Sequence, residues 1–215
     1  EVSFAEAIEL SLFGAKYMHP RALEPVMDTK IPIRIRNAFN LSNEGTIISK
    51  NPSKSSQKIV KSIIAIRNTA LIDVSGGGMV GAPGTAAKIF DALARKSVNI
   101  MMISQSPSES SISMVVKKDD LDTAITTLDL TLLDKVIKNV RVNEDVAVVA
   151  VVGSGMRGIK GIAAKVFPSV SRNSINVIMI AQGSSELNLA FVVNNVDCEK
   201  AVKSLHEAFM LTKVN

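Results

Sequence analysis

An internal repeat constrains the fold of this chain more than any other feature of its sequence. Residues 84–109 and 161–186 have nearly the same sequence, GTAAKIFDALARKSVNIMMISQSPSE and GIAAKVFPSVSRNSINVIMIAQGSSE. Shifting the sequence by 77 positions aligns residues 70–116 with residues 147–193 without a gap, and 21 of these 47 pairs are identical. Such similarity indicates a duplicated structural unit, so the chain must contain the same fold twice.

The two copies predict the same order of elements. Each opens with a β-branched apolar run, ALIDVS or AVVAVV, which ends at glycines and predicts a buried strand. An amphipathic helix, two strands and a second amphipathic helix follow. This order predicts an α+β protein made of two ferredoxin-like βαββαβ units, provided that each copy finds a fourth strand.

The supply of fourth strands predicts that the two units are interleaved. Copy one has a candidate in VIKNVRV, but copy two has little room left before Asn215. Lys61–Ile66, KSIIAI, is an unassigned strand ahead of copy one. We expect it to cross over and complete copy two. The predicted divisions are a separate piece at 1–52, a linker at 53–60, the crossing strand at 61–68, a first unit at 69–143 and a second at 144–215.

The piece at 1–52 has its own local signals. Ser3 and Glu6 form a capping box ahead of a helix, HPRALEPVMDTK predicts a second helix and IPIRIRN a short strand. The chain begins at a helix start without a methionine, from which we expect a fragment of a longer protein.

The composition argues against several classes of function. The single cysteine, Cys198, excludes an internal disulfide and fits a reducing compartment, for which we expect the cytoplasm, or the plastid if the source is a plant. His19 and His206 are too far apart in sequence to suggest a metal cluster. The net charge of +5 is scattered, with one tyrosine and no tryptophan, unlike a nucleic-acid groove. The longest apolar run is too short to span a membrane.

Both copies carry a glycine pattern that first suggests a dinucleotide site. Residues 76–81 and 153–158 each fit G-x-G-x-x-G between a strand and a helix. The ribose-binding acid expected about 20 residues later is missing from 96–101 and from 173–178. The amphipathic stripe also starts too late after the glycines. These two departures argue against dinucleotide binding.

A more general use of the loops is to bind a small carboxylate. A glycine loop that leads into a helix presents unpaired N–H groups and the positive end of a helix dipole. Gln105 and Gln182 end the following strand in each copy, and a primary amide can both donate and accept. These groups suit a free amino acid. The alternative is that the loops are tight turns and the glutamines are simply exposed.

The text around the repeats resembles a known family. FGAKYMHPRALEPVMDTKIPIRIRNAFNLSNEGTIIS is similar to the end of the catalytic domain of aspartate kinases, and the repeats look like their tandem ACT domains. The stretches ISQSPSE and IAQGSSE resemble the threonine-sensitive enzymes, either monofunctional or fused to homoserine dehydrogenase. The resemblance implies that residues 1–52 are the end of an amino-acid-kinase domain, and it also implies an interleaved ACT pair.

The resemblance implies a role in feedback control. The parent enzyme would phosphorylate L-aspartate with ATP and Mg²⁺, and the ACT pair would bind threonine, with lysine possible, and assemble as a homodimer or larger. The family's catalytic residues lie in a kinase core that this sequence does not include, so we expect no cofactor and no catalytic residue here. Only Arg36 and Asn37 fall near the family's nucleotide. The implied effector site of copy one comprises Met79, Gly81, Ala82, Pro83, Gly84, Thr85 and Gln105. That of copy two comprises Met156, Gly158, Ile159, Lys160, Gly161, Ile162 and Gln182.

Two alternatives remain open. The ACT pair could serve mainly as an oligomerisation module, with one copy or neither binding a ligand. The parent could also continue into a homoserine dehydrogenase domain. The resemblance assigns Ser108, Glu109, Ser185 and Glu186 only to shaping the turn.

Overall fold

The computed structural model of this chain describes residues 1–12, 18–53, 58–132 and 137–211. The GAK motif, the middle of the predicted linker and the first residue of VIKNVRV therefore lie outside the described residues. Nine strands and six α-helices are found in the described part.

The N-terminal segment forms a small layer of its own. Strands β1 (Val2–Ser3), β2 (Ile33–Ile35) and β3 (Thr46–Ser49) make a sheet in which β3 is central, parallel to β1 and antiparallel to β2. Helices α1 (Phe4–Leu12) and α2 (Glu24–Met27) belong to the same layer. Its core is built around four buried side chains: Phe4, Ala7, Leu23 and Ile48.

Local signals in this segment predicted the first helix well and the rest less well. The capping box is confirmed: the Ser3 N–H donates to Glu6 Oε2 at 2.8 Å, and the Glu6 N–H donates to Ser3 Oγ at 3.1 Å. The second predicted helix is divided into a 3₁₀ turn at Pro20–Ala22 and the short α2, because Pro25 favours a new helix start. Strand β3 was not predicted, since four residues show too little alternation.

The repeats form one six-stranded sheet with helices attached. All neighbouring strands are antiparallel, in the order β5-β6-β4-β7-β9-β8. The strands are β4 (Ser62–Ser75), β5 (Ile100–Gln105), β6 (Ser111–Lys117), β7 (Asn139–Val152), β8 (Met179–Ala181) and β9 (Asn188–Asn194). The helices are α3 (Thr85–Ala94), α4 (Leu121–Leu132), α5 (Ile162–Ser171) and α6 (Cys198–Ala208).

The interleaved arrangement is confirmed by the pairing of the two long central strands. Ser62–Ile66 pair with Val148–Val152 of copy two, while the other end of β4 pairs with the first half of β7 and with β6. Copy two thus completes its four-stranded sheet with the first half of β4, and copy one completes its sheet with the first half of β7. The sequence predicted four separate short strands here, whereas the structure joins them in pairs into two strands of 14 residues.

The centre of this pairing relates the copies by an approximate two-fold axis. Thr69 and Val146, which are equivalent under the 77-residue shift, lie opposite each other at a register irregularity. The buried Thr69 hydroxyl donates to the Val146 carbonyl oxygen at 2.9 Å. This hydrogen bond satisfies polar groups where the regular ladder is interrupted.

Both faces of the sheet are buried, because alternate side chains of each strand point in opposite directions. One face packs under α3 and α4 in copy one and under α5 and α6 in copy two. The other face forms a separate apolar cluster that includes the equivalent residues Met102 and Met179. Since β5 and β8 also contact each other, the sheet curls around this cluster.

Candidate functional site

The glycine loops have the same backbone in both copies. In copy one a 3₁₀ turn at Gly77–Met79 is followed by Gly81 and Gly84, with φ of +62° and +84°. In copy two Gly158 and Gly161 have φ of +71° and +90°. A Cβ at any of these four positions would meet nothing within 4 Å. These glycines are therefore required for their left-handed backbone and not for lack of space.

The helices start after the glycine pattern, as the sequence indicated. Helix α3 begins at Thr85 and α5 at Ile162, each directly after a left-handed glycine that occupies the N-cap position. Neither N-cap provides a side-chain hydrogen bond to the helix. This placement differs from a dinucleotide fingerprint, in which the helix opens within the glycine motif.

The structure brings the predicted site residues of each copy around one cavity. In copy one an open cavity of about 410 Å³ is lined by the seven predicted residues together with Ala86 and Glu109. In copy two a cavity of about 310 Å³ is lined by the seven predicted residues together with Ala163 and Glu186. Both volumes are near the lower end for small-molecule sites. The side chains of Met79 and Met156 are almost wholly buried and belong mainly to the two hydrophobic cores.

The two glutamates take a larger part in these sites than the sequence indicated. The Gly81 N–H donates to Glu109 Oε2 at 3.0 Å, and the Gly158 N–H donates to Glu186 Oε2 in the same way. Both glutamates have φ of +55° at the turn between adjacent strands. The repeated SE pair was the only sequence signal for this contact, because the partners are 28 residues apart.

The cavities differ in the residues between the glycines. Ala82 and Pro83 of copy one are replaced by Ile159 and Lys160 in copy two. Lys160 adds a positive charge and Ile159 an apolar side chain that is half exposed. The two sites therefore have the same backbone but different surfaces.

A buried carboxylate connects the N-terminal layer to the loop of copy two. Glu6 in α1 is fully buried, and its Oε1 accepts from the Ser154 N–H at 2.8 Å and from the Ser154 hydroxyl at 2.7 Å. Burial alone raises the pKa of Glu6, but the hydrogen bonds from Ser3 and Ser154 outweigh it and lower the pKa below its ordinary value of 4.5. Nearby, the Asn188 side-chain amide donates to Glu9 at 2.6 Å.

The residues expected near a nucleotide line a different cavity. Arg36 and Asn37 are exposed and lie at a cavity of about 780 Å³ between the N-terminal layer and β4. Arg36 donates to the carbonyl oxygens of Leu41 and Asn43, and Asn37 Oδ1 accepts from the Phe39 N–H at 2.9 Å. Both side chains thus hold their own loop.

The described residues show no acid or thiol cluster suited to a metal. Within them, no group of three or more His, Cys, Asp or Glu side chains could hold a metal ion. No helix among them has both the length and the apolar character needed to cross a membrane.

Comparison with known proteins agrees with this architecture. The ACT domain model matches the chain twice, at residues 72–131 and 149–209. The chain is 39% identical to a chloroplastic bifunctional aspartokinase/homoserine dehydrogenase of Zea mays, over 99% of this chain and 24% of that protein. Clostridium acetobutylicum aspartate kinase superposes with a TM-score of 0.85 at 33% identity, covering 96% of this chain and 48% of that one. E. coli aspartokinase III with lysine and aspartate (T-state) gives a TM-score of 0.79 at 27% identity, covering 96% and 45%.

The repeated fold and the two family matches together define a tandem regulatory module, and the chain belongs to the ACT domain family. Its resemblance to the aspartokinases is also confirmed, since similarity to them extends over nearly its whole length. The chain spans about a quarter of the length of the bifunctional relatives that it matches.

Proposed function

We propose that this chain is the part of an aspartate kinase that binds a feedback effector, with L-threonine as the favoured ligand and lysine as a possible one. The observation that carries the proposal is the presence of two equivalent glycine-loop cavities, each with a glutamine at the end of the adjacent strand. The ACT family match and the lysine complex of E. coli aspartokinase III support an amino acid as the ligand class.

The cavity groups suit the charges of an amino acid. Backbone N–H groups of the glycine loop can donate to its carboxylate, which also lies near the positive end of the α3 or α5 dipole. The amide of Gln105 or Gln182 can read a hydroxyl or ammonium group, because it both donates and accepts. A Cβ at Gly81, Gly84, Gly158 or Gly161 would meet nothing within 4 Å, so no neighbouring atom crowds these loop positions.

The activity under control would be the ATP-dependent phosphorylation of the aspartate side chain, with Mg²⁺, by a kinase core that precedes this segment in the parent. We assign no catalytic residue to this chain. Threonine would inhibit by binding one kinase state more tightly, a difference typically of ~1–3 kcal/mol. The Glu6–Ser154 contact offers a direct connection between the kinase-like segment and a sensor loop.

Calorimetry of this chain with threonine, lysine and methionine tests the proposal. We expect heat with threonine, and a loss of about tenfold or more in affinity at the affected site in Gln105→Ala or Gln182→Ala, since truncation leaves a ligand group unpaired. Asn143→Ala, which removes an amide outside both cavities, is the matched control. Absence of heat with all three amino acids would contradict the sensor function. Binding that survives both glutamine changes would refute the role of the glutamines.

A second candidate function is assembly. The equivalent residues Ile103 and Ile180 are 44% and 46% exposed on β5 and β8, the two edge strands of the sheet. Large apolar side chains that are exposed at equivalent positions favour burial against another chain, as a homodimer or larger. Sedimentation of Ile103→Lys and Ile180→Lys tests this role. If the chain served only in assembly, these variants would sediment as smaller oligomers than the unmodified chain. The unmodified chain would then bind none of the three amino acids.

Two features of the parent follow from its relatives as proposals. Because the similar Zea mays protein is bifunctional, we propose a parent in which a homoserine dehydrogenase domain follows this segment. The same relative is a chloroplastic protein, so we propose a plastid location for a plant source and the cytoplasm otherwise.

A further inference from the structure

Each candidate cavity already contains a carboxylate of the protein itself. Glu109 accepts from the Gly81 N–H and Glu186 accepts from the Gly158 N–H, so the same contact occurs in both copies. These are the loop amides that the proposed function assigns to the carboxylate of the effector. The glutamates line the cavities together with Gln105 and Gln182.

The backbone at these glutamates suggests that a turn alone does not explain them. Both have φ of +55°, in the left-handed region that is unfavourable for a residue with a side chain. Each of these glutamates lies just before a strand, Glu109 before β6 and Glu186 before β9. In the described part of the chain, neither carboxylate forms an ion pair with a lysine or arginine. The contact with the loop amide is the shared feature that uses the carboxylate.

We propose that Glu109 and Glu186 are internal occupants of the effector's carboxylate positions. In the empty site each glutamate satisfies the glycine N–H, and a ligand carboxylate must displace it to take the same donor. The proposal rests on the proposed function, because it assigns the ligand's carboxylate to these amides. It follows that the two glutamates weaken the apparent affinity of each site by competing for its donor.

A simple carboxylate isolates this competition from the rest of an amino acid. Sodium acetate carries no ammonium group and no side chain for the glutamine to read. Its binding can be followed at the backbone amides of Gly81 and Gly158 by ¹H–¹⁵N NMR, with sodium chloride at equal ionic strength as the salt control.

Removing the internal carboxylate should strengthen acetate binding. We expect Glu109→Gln to lower the acetate dissociation constant at Gly81 about fivefold, since a neutral acceptor holds the amide less strongly than a charged one. Glu109→Ala should lower it further. The same changes at Glu186 should act at Gly158. Glu144→Gln removes an equal charge on β7, outside both cavities, and should leave both constants unchanged.

Two further measurements, one of the Gly81 N–H and one of the glutamate carboxylates, complete the test. In the empty protein, Glu109→Ala should speed hydrogen exchange of the Gly81 N–H, because its acceptor is gone. In the unmodified protein, saturating acetate should shift the side-chain carboxylate ¹³C signals of Glu109 and Glu186 as they are displaced, which needs no variant to fold.

Unchanged or weaker acetate binding in the folded glutamine and alanine variants would overturn the proposal, as would unmoved glutamate signals at saturation. These outcomes are separate from the calorimetric test. The chain could fail to bind threonine and still bind acetate more tightly once the glutamates are replaced. That result would refute threonine as the effector but would support the role of Glu109 and Glu186 as internal occupants.

Discussion

Glu6 Oε1 accepts two hydrogen bonds from Ser154, one from its N–H at 2.8 Å and one from its hydroxyl at 2.7 Å, although the residues are 148 positions apart. The other oxygen of the same carboxylate accepts from the Ser3 N–H and hydroxyl. One buried side chain therefore caps its own helix and also joins that helix to the glycine turn of copy two.

Replacing Glu6 by glutamine should destabilise the chain by about 2–3 kcal/mol. An amide group has one acceptor oxygen, so its NH₂ must face the donors of either Ser3 or Ser154. Urea unfolding followed by circular dichroism measures the loss. Glu144→Gln, at an exposed pair with Lys118 3.4 Å away, is the control and should change stability by less than about 1 kcal/mol. Equal effects of the two changes would contradict the role of the buried contact.

The stabilisation by Glu6 should depend on pH in one direction. Its pKa is lower in the folded chain than the ordinary value of 4.5, so folding favours the ionised form. The stabilisation is present in full above pH 4.5 and is lost as the pH falls through the folded-state pKa. Unfolding free energies of the unmodified chain and of Glu6→Gln should therefore converge below pH 4.5. A gap that widens with acidification would show that the sign is wrong.

Gly153→Ala should be far more damaging than Gly77→Ala. A Cβ at Gly153 would lie 2.4 Å from the Ile59 carbonyl oxygen and 3.0 Å from the Lys61 nitrogen, both backbone atoms that cannot easily move. At Gly77 a Cβ would meet nothing within 4 Å. We expect a loss of about 3 kcal/mol or more for Gly153→Ala and within about 0.5 kcal/mol for Gly77→Ala in denaturant unfolding. Similar midpoints for the two variants would refute the close approach at Gly153.

Cys198 should be unreactive in the folded chain. Burial raises the pKa of its thiol, with partial opposition from the nearby positive charge of Arg67, and the residue is 1% exposed. Little thiolate therefore forms at neutral pH, and a reagent cannot reach it. A disulfide-exchange reagent should modify this thiol only after denaturant is added. Rapid modification of the native protein would contradict the burial of Cys198.

Local patterns carried much of the prediction, and their failures are local as well. The continuous β-branched apolar run AVVAVV and the apolar stripes of α3 and α5 were sufficient to place these elements. Thr46–Ser49 became a strand only because β1 and β2 flank it, which four residues cannot show by themselves. HPRALEPVMDTK has a helical pattern, but its second proline divides the helix.

The sequence by itself determined that one α+β unit occurs twice, that a strand must cross between the units, and which loop and glutamine residues occupy equivalent places. These conclusions depend on repetition, periodicity and the number of predicted strands, all of which can be read from the order of the amino acids. Only the tertiary structure decided that half-strands join into β4 and β7, that Glu109 and Glu186 hold the loop amides, and that Glu6 reaches Ser154. Such contacts depend on which distant segments of the chain meet in space, and a local sequence pattern does not determine this.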